Sequence, residues 1–93
     1  MFTWLNKQGV ESNTGFSLQR VDRFTYLYTE GDHILRIVVE PSLKVYDIFL
    51  DENPVWEEPF QQDTIDKTKR SLIKNNISSA LDFMKNKHRI ISS

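Results

Sequence analysis

The chain has 93 residues, of which 39% are hydrophobic and 12% aromatic, and its formal net charge is −1. This length supports one small core, so we expect residues 1–93 to form a single domain. The absence of cysteine excludes disulfides and thiolate metal sites and favours a reducing compartment. Residues 1–12 lack the apolar run of a signal peptide, and no stretch of about 18 apolar residues occurs. We therefore expect a soluble, cytoplasmic protein with no membrane partner.

The small net charge conceals a segregation of charge along the chain. Residues 51–66 carry six acidic side chains and no basic one, whereas residues 67–93 carry seven basic side chains and one acidic one. A run of like charge is most often only a solvated surface. An acidic surface also attracts a basic partner over long distances, so both interpretations stay open.

Residues 16–50 alternate polar and apolar side chains, the pattern that is typical of β-strands. The predicted strands run from Phe16 to Val21, from Phe24 to Thr29, from His33 to Glu40 and from Leu43 to Leu50. Turn signals precede and separate them, at Asn13-Thr14-Gly15, Asp22-Arg23, Gly31-Asp32 and Pro41-Ser42. Residues 1–12 have too few apolar positions to show a period and suit either a short edge strand or an arm.

The stretch from Thr64 to His88 has the spacing of one long amphipathic helix. Its apolar side chains recur at intervals of three, four and seven residues, at Ile65, Leu72, Ile73, Ile77, Ala80, Leu81 and Met84. Asp63 is the predicted N-cap, with Thr64 as the alternative, and Asp66 opposes the helix dipole from the first turn. Three basic side chains suit the exposed carbonyls of the last turn: Lys85, Lys87 and His88.

The order of these elements predicts an α+β fold. An antiparallel β-meander of three to five strands is covered on one face by one long C-terminal helix, and Arg89-Ile90-Ile91 is a candidate for a short last strand. Asp51 to Gln62 shows no period and contains two prolines, so we expect a loop that connects the sheet to the helix.

Two motifs stand out in this loop and helix. The first is Trp56 with Pro59 three residues on, and the second is R-x-x-I-x-x-N-I-x-x-A-L, from Arg70 to Leu81. With Val45-Tyr46 and Ile65, they resemble a small immunity-protein family of bacterial polymorphic toxin systems over roughly residues 43–91. The chain departs from the family pattern after the helix, where Asn86-Lys87-His88 stands in place of a glycine.

The resemblance implies a non-catalytic protein that binds a cognate toxin and blocks it. Many such toxins act on nucleic acids through basic clefts, so the resemblance fits an acidic partner-binding loop. The candidate partner-binding residues are Asp51, Glu52, Trp56, Glu57, Glu58 and Asp63. For Trp56, the alternative is a ring that plugs the end of the core, and the family pattern favours that alternative.

A second hypothesis is a small nucleic-acid-binding domain that uses the basic helix face. Lys67, Lys74 and Lys85 lie on one side of the predicted helix, with Ser71 and Ser78 between them. The solvent face of a helix is commonly rich in lysine, however, and duplex binders are usually strongly basic where this chain is slightly acidic. Aromatic residues at 24, 26 and 28 form a stripe that is more typical of a core than of a base-stacking platform.

The sequence contains no motif of an enzyme: it lacks a glycine-rich phosphate loop, G-x-S-x-G, H-E-x-x-H and a cysteine nucleophile. We therefore predict no catalytic residue, no metal site and no cofactor. His33 and His88 are expected to be surface or capping residues. Asn76 falls on the core side of the helix, where its amide needs a hydrogen-bond partner, expected in the loop backbone near Trp56.

Overall fold

The computed structural model describes residues 1–92, which form seven strands and one helix. Their order is β1 (Phe2–Asn6), β2 (Gly9–Ser12), β3 (Phe16–Asp22), β4 (Thr25–Glu30), β5 (His33–Pro41), β6 (Tyr46–Leu50), α1 (Lys67–Phe83) and β7 (His88–Ser92). All seven strands belong to one sheet and lie in it in sequence order. The predicted α+β class with one C-terminal helix is confirmed, whereas the prediction of three to five strands is wrong.

Two of the additional strands come from the first twelve residues, which form a hairpin. Trp4 lies opposite Val10, and the register shifts between Trp4 and Asn6. Each strand is short and one is irregular, so neither shows the alternation by which a strand is recognised. Val10 is nevertheless fully buried, and the ring of Phe2 meets the edge of Phe16 at 5.7 Å between centroids. The hairpin thus extends the core.

The last strand departs from the antiparallel pattern. Strands β1 to β6 pair in antiparallel fashion with their neighbours, but β6 and β7 are parallel, with Ile48 opposite Ile90. Adjacent parallel strands need a long crossover connection, and residues 51–87, which contain α1, supply it. The segment Arg89-Ile90-Ile91 is therefore a strand as predicted, and the predicted antiparallel order through residues 16–50 is confirmed.

The helix begins later than predicted, at Lys67. The side chain of Asp66 is the N-cap and accepts a hydrogen bond from the backbone N–H of Lys69 at 2.7 Å. A carboxylate in this position satisfies a backbone donor and opposes the positive end of the helix dipole. The prediction of Asp63 or Thr64 as the N-cap is therefore wrong, as is the placement of Asp66 inside the first turn.

The helix also ends earlier than predicted, at Phe83. Lys85 adopts the left-handed conformation with φ of 61°, and the N–H of Asn86 donates to the carbonyl of Leu81 at 2.9 Å. This arrangement ends a helix by satisfying its last carbonyls from the following backbone. The cations predicted in the last turn, at positions 85, 87 and 88, lie after the helix instead.

The core lies between α1 and one face of the sheet. Its buried residues are Val10, Phe16, Leu18, Tyr26, Tyr28, Leu35, Ile37, Val39, Ile48, Leu50, Trp56, Ile73, Ile77, Ala80 and Leu81. Leu72, predicted on the apolar face, is 50% exposed. Two predicted strand starts are also exposed and lie outside the sheet, Phe24 and Leu43. Among residues 1–92, no helix is long and apolar enough to cross a membrane.

Candidate functional site

The acidic loop, which we define as residues 51–66, runs along an edge that the sheet leaves open. Strand β6 pairs with β5 only from Val38 to Pro41, so the first half of β5 has no strand on that side. The loop lies there, and the N–H of Glu57 donates to the carbonyl of Ile34 at 2.8 Å. The loop therefore covers this edge of the sheet and is not a free arm.

Trp56 anchors the middle of this loop. Its side chain is only 5% exposed, and its ring stacks on Tyr28 at 6.5 Å and meets the edge of the His33 ring at 5.2 Å between centroids. Pro54, two residues earlier, is also buried. Trp56 therefore lies in the core, as the second interpretation of this residue expected, and it gives the loop a fixed shape.

His33 fastens the far end of the loop. Its Nε2 lies 2.6 Å from the Asp63 carboxylate, and its ring stacks on Phe60 at 4.0 Å between centroids. A carboxylate oxygen only accepts, so Nε2 carries the proton of this hydrogen bond. Although His33 starts a strand at the surface, it clamps residues 60 and 63 to β5.

Arg70 fastens the near end. Its Nε donates to the carbonyl of Asp51 at 2.8 Å, and one terminal nitrogen donates to the carbonyl of Leu50 at 3.1 Å and to Ser92 Oγ at 2.9 Å. One guanidinium thereby joins α1, β6, β7 and the start of the loop. In the sequence this residue stands out only through the motif that opens at position 70.

The acidic side chains of the loop have divided roles. Asp66 caps the helix, Asp63 binds His33, and Glu57 lies 3.3 Å from Arg36 Nε. Glu52 and Glu58 are exposed, and neither forms an ion pair within residues 1–92. The Arg36–Glu57 pair is itself about half exposed, and such pairs contribute only about 0–1 kcal/mol. Glu57 is therefore held only weakly.

A partly buried polar network lies beneath the loop. Asn76 Nδ2 donates to the Tyr28 hydroxyl at 2.9 Å, and that hydroxyl donates to the Glu30 carboxylate, which also binds Lys69. Burial, followed by the hydrogen bond to Glu30, raises the pKa of Tyr28. Asn76 thus bonds to Tyr28 and not to loop backbone near Trp56, although Tyr28 is the residue on which Trp56 stacks.

His88 has a similar structural role at the other end of the helix. Its Nδ1 lies 2.9 Å from the carbonyl of Asn86, and its Nε2 lies 2.8 Å from Ser78 Oγ. A carbonyl only accepts, so Nδ1 carries the proton of the hydrogen bond to Asn86. His88 joins β7 to α1. The described residues contain no cluster of three or more His, Asp or Glu side chains that would hold a metal ion.

The basic helix face is less continuous than the sequence pattern indicates. Lys67 and Lys74 are exposed on α1, but Lys85 lies beyond the end of the helix and its backbone is in the left-handed conformation. Of the aromatic stripe, Tyr26 and Tyr28 are buried in the core and Phe24 lies alone in the exposed β3–β4 turn. The structure therefore assembles neither a lysine row along one helix nor an aromatic platform for bases.

Comparisons with protein-family models, with curated proteins and with solved structures give no match to this chain. The likeness to the immunity-protein family therefore rests on the sequence motifs alone, and the function has to be argued from the geometry of the acidic loop.

Proposed function

We propose that this protein is an immunity protein, which binds a cognate bacterial toxin in the cytoplasm and neutralises it through the acidic loop. The observation that carries the proposal is the contrast within this loop. The loop is fastened by the carbonyl of Asp51 and by the side chains of Trp56 and Asp63, while Glu52 and Glu58 are exposed without an ion pair in the described chain.

A loop that is already ordered loses little conformational entropy when it binds, so more of the contact energy appears as affinity. The exposed carboxylates of Glu52 and Glu58 remain available in the free protein, and a basic cleft supplies cations to pair with them. The same charges accelerate the encounter with a basic partner by long-range attraction. A toxin whose cleft receives phosphates offers such a surface, and a protein seated there excludes the substrate.

The alternative, nucleic-acid binding through the helix, has less support. Lys67 and Lys74 remain on the exposed side of α1 without Lys85, and a duplex binder commonly makes several phosphate contacts. The chain as a whole also carries a net charge of −1.

The test uses the protein that is encoded by the reading frame next to this one. We expect the two purified proteins to form a tight one-to-one complex by size-exclusion chromatography with light scattering, and we expect the complex to abolish the toxicity of the neighbour on expression. No complex, or a complex that leaves toxicity intact, contradicts the proposal.

Whether the acidic loop is the toxin-binding surface is tested by reversing charge at two of its positions, Glu52→Lys with Glu58→Lys. Because peripheral charges act mainly on encounter, we expect the association rate to fall roughly tenfold at low salt and the difference to shrink as salt rises. Glu11→Lys with Asp82→Lys changes the net charge equally at two exposed sites outside the loop and serves as the control. Equal slowing by both pairs would show that the loop is not the binding face.

A further inference from the structure

We propose that a groove beside the acidic loop receives one apolar side chain of the partner, flanked there by lysine or arginine. This inference rests on the proposed function and specifies the chemistry of the partner surface. The loop groove has a volume of about 110 Å³. The residues that argue for it are Arg36 and Val38 of β5, Phe49 of β6, and Asp51, Pro54 and Val55 of the loop.

The groove is lined partly by the core residues Leu35, Ile37 and Leu50 and partly by apolar side chains outside the core. Val38 and Phe49 lie opposite each other across β5 and β6, on the face of the sheet that α1 does not cover. Val38 is 54% exposed and Val55, contributed by the loop, is 58% exposed. Single exposed valines are common on protein surfaces, but apolar side chains that meet at a concave site mark an interaction surface.

The size of the groove limits what it holds. An apolar cavity of about 150 Å³ accommodates benzene, so a groove of about 110 Å³ accommodates one aliphatic side chain. It is too small for a helix or a strand. The occupant is therefore a protruding side chain such as leucine, isoleucine or methionine.

The charges around the groove select the surroundings of that side chain. Asp51 and Arg36 line the groove, and the Nε of Arg36 lies 3.3 Å from the Glu57 carboxylate. Glu52 and Glu58 are exposed on the same short loop, and Arg70 lies at its start, so acidic side chains outnumber basic ones in this region. An acidic partner would be repelled and a basic one attracted. By contrast, the exposed ring of Trp4, which packs on Phe83, has Lys7 and no acidic residue beside it in its shallow pocket.

The groove and the charges should affect different rate constants. Buried apolar contacts form after encounter and slow dissociation, whereas exposed charges speed association. In the complex with the neighbouring gene product, we expect Val38→Thr with Val55→Thr to raise the dissociation rate about tenfold and to leave the association rate unchanged. Threonine keeps the β-branched shape, so β5 should be retained.

Leu72→Gln is the matched control, since Leu72 is also half exposed but lies on α1. If the valine variants dissociate like the wild type while charge reversal at Glu52 and Glu58 still slows association, the inference is overturned and the proposed function stands. If the neighbouring gene product forms no complex, the proposed function is contradicted. Whether the groove binds an apolar side chain is then tested with a probe that needs no toxin.

That probe is a short peptide with one leucine between two pairs of lysines, compared with the same peptide carrying serine. In amide and methyl NMR spectra of the full chain, we expect the leucine peptide to shift the signals of Val38, Phe49 and Val55, and the double threonine variant to lose these shifts. Equal shifts from both peptides, shifts centred on Trp4 and Phe83, or shifts that follow protein concentration alone would each overturn the inference. The last result would identify a second copy of the chain as the occupant.

Discussion

Tyr28 is the side chain at which the helix, the sheet and the acidic loop meet. Its hydroxyl bonds to Asn76 and Glu30, and its ring lies between Phe16 at 5.6 Å and Trp56 at 6.5 Å. This partly buried network favours one arrangement of the core, because a shift of the buried Tyr28 side chain leaves its hydroxyl without these partners.

This network predicts how stability depends on pH. Because burial and the bond to Glu30 raise the pKa of Tyr28, the folded state holds the phenolic proton more tightly than the unfolded state. The resulting stabilisation is complete below a pH of about 10, the usual pKa of tyrosine, and is lost as the pH rises above it, by at most about 1.4 kcal/mol per pH unit. Urea unfolding between pH values of about 8 and 11 measures the decline.

Tyr28→Phe provides the comparison. We expect it to lower the free energy of unfolding at neutral pH by about 1–3 kcal/mol, since Asn76 and Glu30 each lose a buried partner. Above a pH of about 10, the variant should lose stability less steeply than the wild type. A decline that is equally steep in both proteins would show that Tyr28 is not the group responsible.

At the level of single residues, the sequence predicted what periodicity can show. Leu35, Ile37 and Val39 face the core as their alternation indicates, and Trp56 lies in the core as one interpretation expected. It did not predict the roles of Arg70 and His88, because their partners are mostly carbonyls and hydroxyls on other elements. A carbonyl has no signature in the sequence, so only the folded geometry reveals such bonds.

Among the secondary-structure elements, the helix depends most on its apolar face. Leu81 is fully buried, whereas Leu72 on the same helix is half exposed. We expect Leu81→Ala to cost about 2–5 kcal/mol, because it leaves a cavity in the core. Leu72→Ala should cost under about 1 kcal/mol, and since both variants have the same helix propensity, their difference measures docking. Equal unfolding midpoints would contradict the packing of α1 on the sheet.

The ends of the helix were harder to predict than its face, for a physical reason. Asp63, Thr64 and Asp66 are all good N-caps by chemistry, and Asp63 is bound to His33 from a distant strand. At the other end, Lys85 occupies a left-handed position where glycine is favoured, so the usual stop signal is absent. At both ends, the local preference of the residues for capping the helix competes with contacts to other parts of the fold, and the two together set where the helix begins and ends.

For the molecule as a whole, Trp56 joins the acidic loop to the common core. We expect Trp56→Ala to lower the free energy of unfolding by about 3–5 kcal/mol and to loosen the loop. Hydrogen exchange at the amide of Glu57, which donates to Ile34, should then accelerate more than exchange in β3 and β4. Trp56→Phe keeps an aromatic ring and should cost less. Unchanged exchange at Glu57 would show that other contacts hold the loop.

The overall topology could be predicted only in part. A hairpin such as that of β4 and β5 can be recognised in the sequence from two alternating segments joined by a glycine turn, because the two paired strands are adjacent in sequence. The parallel pair of β6 and β7 joins segments that the whole loop and helix separate, and no local pattern encodes that pairing. The candidate acidic surface was predictable from charge, but its division into bound and exposed carboxylates was not.

The position of β7 at the end of the chain affects how the sheet forms during synthesis on the ribosome. A ribosome delivers the chain from its N-terminus, so the hairpins of β1 to β5 can pair as they emerge. The outer edge of β6 has no strand until residues 88–92 follow, and an uncovered edge recruits strands from other chains. We therefore expect the edge of β6 to be open to pairing with other chains only in the interval between synthesis of β6 and synthesis of β7, after which β7 covers it and becomes the edge of the sheet.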